Sequence, residues 1–236
     1  MRISSLTGLI LASLVFSAAG IAEETDPAWK EVILEKIRAK TKSHFEAYEG
    51  VEAQRHIISQ QYNSKTDELI GDYEVWLVRT EYYHKKASYR VLKFIKNGRL
   101  MSPSDYNYRT REPPHLPFQG DNDLHYEERI TGIARRGGEQ CYEVEIIPKK
   151  KTARHMRGRA YFSVKGLDLL YIEGGLASHP LGVKRVEVKL HFKKLGDASV
   201  ASHGTYIFEV HIPLFYPHRR FVHSFSSSGE RLIPVR

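Results

Sequence analysis

A chain of 236 residues, 41% of them hydrophobic, can bury a sizeable core, which excludes a disordered polyelectrolyte. Its net charge of +8 suits an anionic partner, whether nucleic acid, a lipid surface or an acidic protein. Cys141 is the only cysteine, so no internal disulfide forms, and its place at the start of a strand suits a buried structural thiol better than a nucleophile.

Residues 1–22 read as a cleaved export signal. Arg2 is the single charge of a short basic region, and Leu6 to Phe16 is an apolar run too short to span a bilayer. Gly20-Ile21-Ala22 puts small residues before a cleavage site at Glu23, and no cysteine follows that could carry a lipid anchor. Removing Arg2 from the 36 basic residues, with all 28 acidic ones kept, leaves a mature net charge of +7. Export leaves nucleic acid as the least fitting partner. The mature chain, 23–236, reads as one domain.

Asp26-Pro27 opens the first mature element as cap and first turn of a helix. Trp29, Val32, Ile33 and Ile37 recur at three and four, and Phe45 and Tyr48 extend the stripe, which predicts an amphipathic helix from Pro27 to Tyr48 that ends near Gly50. Its glutamates and narrow stripe favour packing on the protein's own sheet over lying on a membrane. Strands follow over Glu52 to Tyr62, Asp72 to His84 and Tyr89 to Lys96. In the second, Trp76 and Val78 alternate with Val75, Leu77, Arg79 and Glu81, and the Trp76 face is taken as inward. In the third, Leu92 and Phe94 share a face, and Asn97-Gly98 marks a turn.

From Arg99 to His125 periodicity stops. Prolines mix there with Tyr106, Tyr108, Leu116 and Phe118, which predicts a packed flap across the sheet or a covering loop. Strand pattern resumes over Tyr126 to Ala134 and over Tyr142 to Ile147. Further strands cover Ala160 to Val164, Leu169 to Glu173, Val186 to Phe192, Tyr206 to Ile212 and Phe221 to Ser226, ahead of a short tail. The fold class is therefore mainly β (α+β): a large curved antiparallel sheet or unclosed β-barrel of about nine to eleven strands, since flat sheets this wide are disfavoured. The N-terminal helix and the long flap cover its inner face. Inward apolar side chains that fill the space incompletely would leave a cavity suited to acyl chains.

No nucleophile elbow, phosphate loop, zinc-protease helix or paired-cysteine motif occurs, so the chain reads as non-catalytic and without a cofactor. A hydrolase assembled from Cys141 or a histidine with a distant carboxylate is the weaker alternative. The histidines are scattered and imply no metal centre, although His191 and His211 could share the outer faces of neighbouring strands. The basic groups Lys149, Lys150, Lys151, Arg154 and Arg157 form either a solvated rim or a positive mouth for head groups or an acidic partner. The expected lining of the cavity is Trp76, Val78, Leu92, Phe94, Phe162, Val188, Leu190, Phe192, Phe208 and Val210.

A leader, an amphipathic helix and about ten antiparallel strands occur here together with two local signatures. One is the strand Tyr-Glu-Val-Glu-Ile-Ile-Pro-Lys at 142–149; the other is the pair formed by 158–164 and 169–173. In this the chain resembles the LolA/LolB superfamily of outer-membrane lipoprotein-sorting proteins and its sensor relatives. The resemblance is diffuse over Pro27 to Pro234. It implies an unclosed barrel with a lid, a periplasmic location, and carriage of lipid or lipoprotein acyl chains with peripheral membrane contact. The alternative it implies is an envelope sensor or scaffold whose curved sheet binds another envelope protein.

Overall fold

The helix expected ahead of the strands is present as α1, Ala28–Ala47, and passes into the first strand without an intervening loop. The computed structural model describes residues 28–83, 85–106, 117–118, 122–213 and 216–235. The leader, the Asp26-Pro27 cap and most of the flap, including Tyr108 and Leu116, lie outside the described residues.

Eleven strands form among the described residues: β1 (Tyr48–Asn63), β2 (Leu69–Tyr82), β3 (Ser88–Lys96), β4 (Arg99–Met101), β5 (Tyr126–Arg136), β6 (Glu139–Pro148), β7 (Met156–Ser163), β8 (Leu169–Leu176), β9 (Val183–Leu195), β10 (Ala198–Ile212) and β11 (Tyr216–Pro234). All belong to one antiparallel sheet in the order β4-β3-β2-β1-β11-β10-β9-β8-β7-β6-β5. Each hairpin neighbour pairs with the next, and the first and last strands close the series by pairing Gly50 with Ile233 through to Asn63 with Arg219. The two free edges are therefore β4 and β5, the strands that the flap connects. The sheet stops short of a barrel at the point where the chain leaves strand conformation.

β11 is much longer than the pattern over Phe221 to Ser226 suggests. Its polar half, Ser226 to Arg231, carries no alternation, yet it lies opposite Glu52 to His56 of β1. The register slips between Glu52 and Gln54, and Gly229 takes a φ of 60°, the geometry of a bulge that few other residues accept.

β7 and β8 approach each other closely at one point. Gly158 and Gly174 lie opposite each other there, and a side chain on Gly174 would sit 2.2 Å from the Arg157 carbonyl oxygen. Only glycine permits so close an approach of two backbones.

α1 lies across the concave face. Leu34 and Ile37 are buried in the main core with Ile130, Val144, Phe162 and Ile172, and Trp29 and Ile33 pack against it. Val32, placed on the stripe by its spacing, is instead half-exposed, and Leu34 takes the inward position. Polar anchors fix the helix along its length. Arg38 donates from Nε and Nη2 to Glu128 Oε2 of β5, both at 3.1 Å, and the Glu128 side chain is fully shielded from water. Further along, Lys40 donates to Gly166 O and Asp168 in the β7–β8 turn. A second core under β2 and β3 contains Val75, Leu77 and Phe94. The flap's described ends reach both cores: Tyr106 packs edge-on to Phe94 at 5.3 Å, and Phe118 packs edge-on to Phe162 at 4.9 Å.

Candidate functional site

The described residues do not fill the concave face. A cavity of about 200 Å³ remains between the C-terminal half of α1 and the sheet. Its composition changes across the sheet. On the side of β7 to β9 the walls are Phe118, Phe162, Ile172, Leu190 and Phe192, all apolar. On the side of β1 and β2 they are Arg55, Arg79, Glu81, His44 and Tyr83.

The polar end follows from strand alternation. Ala53, Arg55 and Ile57 of β1 point inward, as do Val75, Leu77, Arg79 and Glu81 of β2, because Ala53, Val75 and Leu77 are buried and side chains alternate with period two. Arg55 donates from Nη1 and Nη2 to Glu81 Oε1 and Oε2 at 3.3 and 2.6 Å, and Arg79 Nη2 pairs with Glu81 Oε1 at 2.9 Å. The Arg55 guanidinium also stands 4.7 Å over the Phe225 ring. Its Nε is buried and has no hydrogen-bond partner. Burial pulls the Glu81 carboxyl upward, but the charges and hydrogen bonds of Arg55 and Arg79 outweigh that and hold it below its ordinary value. His44 Nε2 meets the Tyr83 hydroxyl at 2.7 Å, and burial lowers the His44 pKa. Burial, reinforced by Glu81 and Tyr48, raises that of Tyr83. His44 and Tyr83 are thus neutral near pH 7. The charged groups of the lining are Lys40, Arg55 and Arg79 against Glu81 and Asp197, and the charge of Lys40 is already met by Asp168.

Of the ten residues expected to line the cavity, Phe162, Leu190 and Phe192 do so. Val188 and Phe208 belong to the main core without touching the hollow, Phe94 lies in the second core, and Val210 is half-buried on β10 outside the lining. Trp76 and Val78 face the other way. Trp76 stacks on His56 at 4.3 Å on the outer surface, under Lys93 Nζ at 4.8 Å, because Val75 and Leu77 take the inward positions. Leu92 is 44% exposed, since a register slip between Trp76 and Leu77 turns Val91 and Phe94 toward the core and Leu92 out.

Lys149, Lys150, Lys151, Arg154 and Arg157 are all exposed on or beside the β6–β7 connection. This is the opposite end of β7 from the turn that Lys40 grips. β7 is also five strands from β1, roughly 24 Å along the sheet at 4.8 Å per strand. None of the five lines the cavity, although Met156 beside Arg157 does.

Arg55, Arg79 and Glu81 have a readable signal in the sequence: charges placed in step with Ala53, Val75 and Leu77. That signal is overridden if Trp76 is assumed to be inside. Cys141 is buried, and burial, with Glu139 nearby, raises its thiol pKa, the environment of an inert thiol. His191 stacks on His203 at 4.2 Å and His211 on His218 at 3.6 Å, so His191 and His211 do not form a pair. Among the described residues no three histidine, cysteine or carboxylate side chains gather as a metal site would require.

No family model matches the sequence, and no curated protein is recognisably related to it. Among solved structures the chain is similar to a domain from Vibrio parahaemolyticus named for outer membrane lipoprotein sorting. The two are 10% identical with a TM-score of 0.44, over 88% of this chain and 93% of that one. It is also similar to a LolA superfamily protein from Nitrosomonas europaea, at 12% identity and a TM-score of 0.38 over 86% and 94% of the two chains. A DUF1329 family protein from Desulfovibrio piger is similar at 11% identity and a TM-score of 0.40 over 88% and 94%. These are likenesses of fold.

Proposed function

We propose that this protein is an exported, non-catalytic carrier that takes the acyl chain of a lipid or lipoprotein into the hollow beneath α1. One observation carries the reading: the concave face of a large sheet, roofed by a helix and the end of a flap, retains about 200 Å³ walled mainly by aromatic and aliphatic side chains. Close packing is the rule in protein interiors, so a partly open, mainly apolar hollow beneath a helix suits a guest. The driving force is desolvation of the chain, about 0.8 kcal/mol for each buried methylene. The leader read in residues 1–22 supports a periplasmic setting. The aromatic and basic outer surface suits brief contact with an anionic membrane.

Native mass spectrometry of the mature protein purified without detergent tests this. The expected result is a population carrying lipid-sized adducts that is lost on delipidation and regained with a fluorescent fatty acid. A protein that is always empty and takes up no fatty acid overturns the reading.

A further inference from the structure

The two ends of the sheet differ in how their charges are met. We propose that the end carrying the β1–β2, β6–β7, β8–β9 and β10–β11 connections is a docking face for an anionic lipid bilayer, with Leu181 entering the acyl boundary and the surrounding lysines and arginines meeting lipid phosphates. The proposal deepens the carrier reading and rests on it for the exported setting.

Backbone hydrogen bonds join these connections into one rim. β1, β6, β8 and β10 all run toward this end of the antiparallel sheet. A short helical turn, Asn122–His125, precedes β5 there. Lys149 N donates to His125 O at 2.9 Å, Ala177 N to His155 O at 2.8 Å, His211 N to Gly182 O at 2.7 Å and Ser64 N to His218 O at 3.4 Å. Each bond ties one connection to the next.

A run of lysines in a single connection reports exposure alone, but here like charge is shared along the whole rim. Residues 64–68, 122–125, 149–155, 177–182 and 217–220 hold seven lysines and arginines against Asp67, Glu68 and Asp123. Asp67 is already engaged by Arg220. Desolvation, His211, Lys65 and Lys184 together hold the His218 imidazole below its ordinary pKa, so positive charge from separate strand ends is crowded together. At the opposite end of the sheet the lysines are matched: Lys42 by Glu46, Lys85 by Glu49, Lys193 by Glu230, and both Lys40 and Lys194 by Asp168.

Apolar side chains stand among these cations. Leu181 is 95% exposed and Leu124 71%, and Leu69 and Ile70 at the start of β2 are exposed as well. Nucleic acid would use the cations and leave the leucines in water. An anionic bilayer uses both, since apolar tips insert at the acyl boundary while each nearby lysine or arginine gains from the surface charge. Met156, beside Arg157, also lines the hollow, so the rim adjoins the cavity at one point.

Co-sedimentation of the mature protein with two kinds of vesicle tests the proposal, with fluorescent fatty-acid uptake measured on the same preparation. One kind is phosphatidylcholine alone, and the other is phosphatidylcholine mixed equally with phosphatidylglycerol. Binding to the anionic vesicles is expected to be at least about a hundredfold tighter, and molar salt should abolish most of that preference. Lys150→Gln with Lys151→Gln should weaken anionic-vesicle binding at least about tenfold, and Lys65→Gln, on a different connection, about fivefold. Leu181→Ser should weaken it about tenfold. All four positions are solvent-facing, so these variants keep the fold. Lys85→Gln with Lys86→Gln, at the opposite end, should leave binding unchanged, and a loss as large as that at Lys150 and Lys151 overturns the assignment to this face. Full binding by Leu181→Ser overturns the insertion of Leu181. Failure to bind anionic vesicles while fatty-acid uptake is intact overturns the docking face alone and returns the cations to an acidic protein partner. Vesicle binding without fatty-acid uptake supports the docking face and overturns the carrier reading.

Discussion

Filling the hollow from its apolar side separates a ligand site from a packing fault. Ala201 of β10 lies opposite Phe192 and lines the cavity. Ala201→Leu adds three carbons to a space that holds roughly eight by comparison with benzene in a cavity of about 150 Å³. Burying them is worth at most about 2.4 kcal/mol at 0.8 per carbon. Restricting the leucine side chain costs about 0.5–1 kcal/mol. The net expectation is a gain of about 1–2 kcal/mol in the ligand-free protein, or roughly 2–8 °C in melting temperature at this size. Binding of a fluorescent fatty acid should fall at least tenfold in the same variant, because the tail no longer fits. Differential scanning calorimetry and titration calorimetry on one preparation read both effects. A variant that melts several degrees lower shows that the space is not truly open, and one that is stabilised yet binds as before shows that ligand goes elsewhere. Either result refutes the reasoning.

Arg38→Met should lower stability by about 3 kcal/mol in urea unfolding, since the fully shielded Glu128 loses the cation that bridges α1 to β5. The pair Arg38→Met with Glu128→Leu should recover most of that loss. Stability should also depend on pH in two stages. Burial holds His44 and His223 below the ordinary 6.5, so the unfolded chain binds protons that the folded one refuses; stability is full above pH 6.5 and falls as pH drops below it. Glu81, held below 4.5, adds a second loss that begins below that pH. Melting scans across this range check both stages, and His44→Asn should flatten the first. Gly174→Ala should cost about 1–3 kcal/mol or more, because its new methyl meets the Arg157 carbonyl, whereas Gly132→Ala, which meets nothing within 4 Å, should change stability by less than about 0.5 kcal/mol in the same assay.

Periodicity revealed the strands well and their orientation less well. Val186, Val188 and Leu190 alternate with charged residues on a half-wet strand, and all three are buried where the alternation puts them. β2 is harder because both of its faces look plausible. Trp76 and Val78 are more apolar than Arg79 and Glu81, yet it is the second set, with Val75 and Leu77, that points inward. The inner face departs from the hydrophobic rule where charges pair with one another, as Arg55 and Arg79 do with Glu81 and Arg38 does with Glu128. Leu92 was unreadable for a different reason: a one-residue slip in register reverses a side chain without leaving any trace in composition. The polar half of β11 has no alternation because what specifies it is its partner β1, far away in sequence. The basic loop after Pro148 was conspicuous, but cationic residues in a connection report exposure before they report function.

The pairing of the first strand with the last has a consequence for how the molecule comes into being. A chain that emerges from its N-terminus can complete β5 to β10 as successive hairpins, while β1 to β4 form a second, separate ribbon. No strand pairing joins the two until β11 is made, because Tyr48 pairs with Pro234 and Asn63 with Arg219. Until then the hollow has no floor on one side and both ribbons expose an unsatisfied rim. Contacts this distant in sequence form slowly, so the last strand acts as the clasp of the whole assembly, and a nascent chain stalled before it is the species most in need of a chaperone.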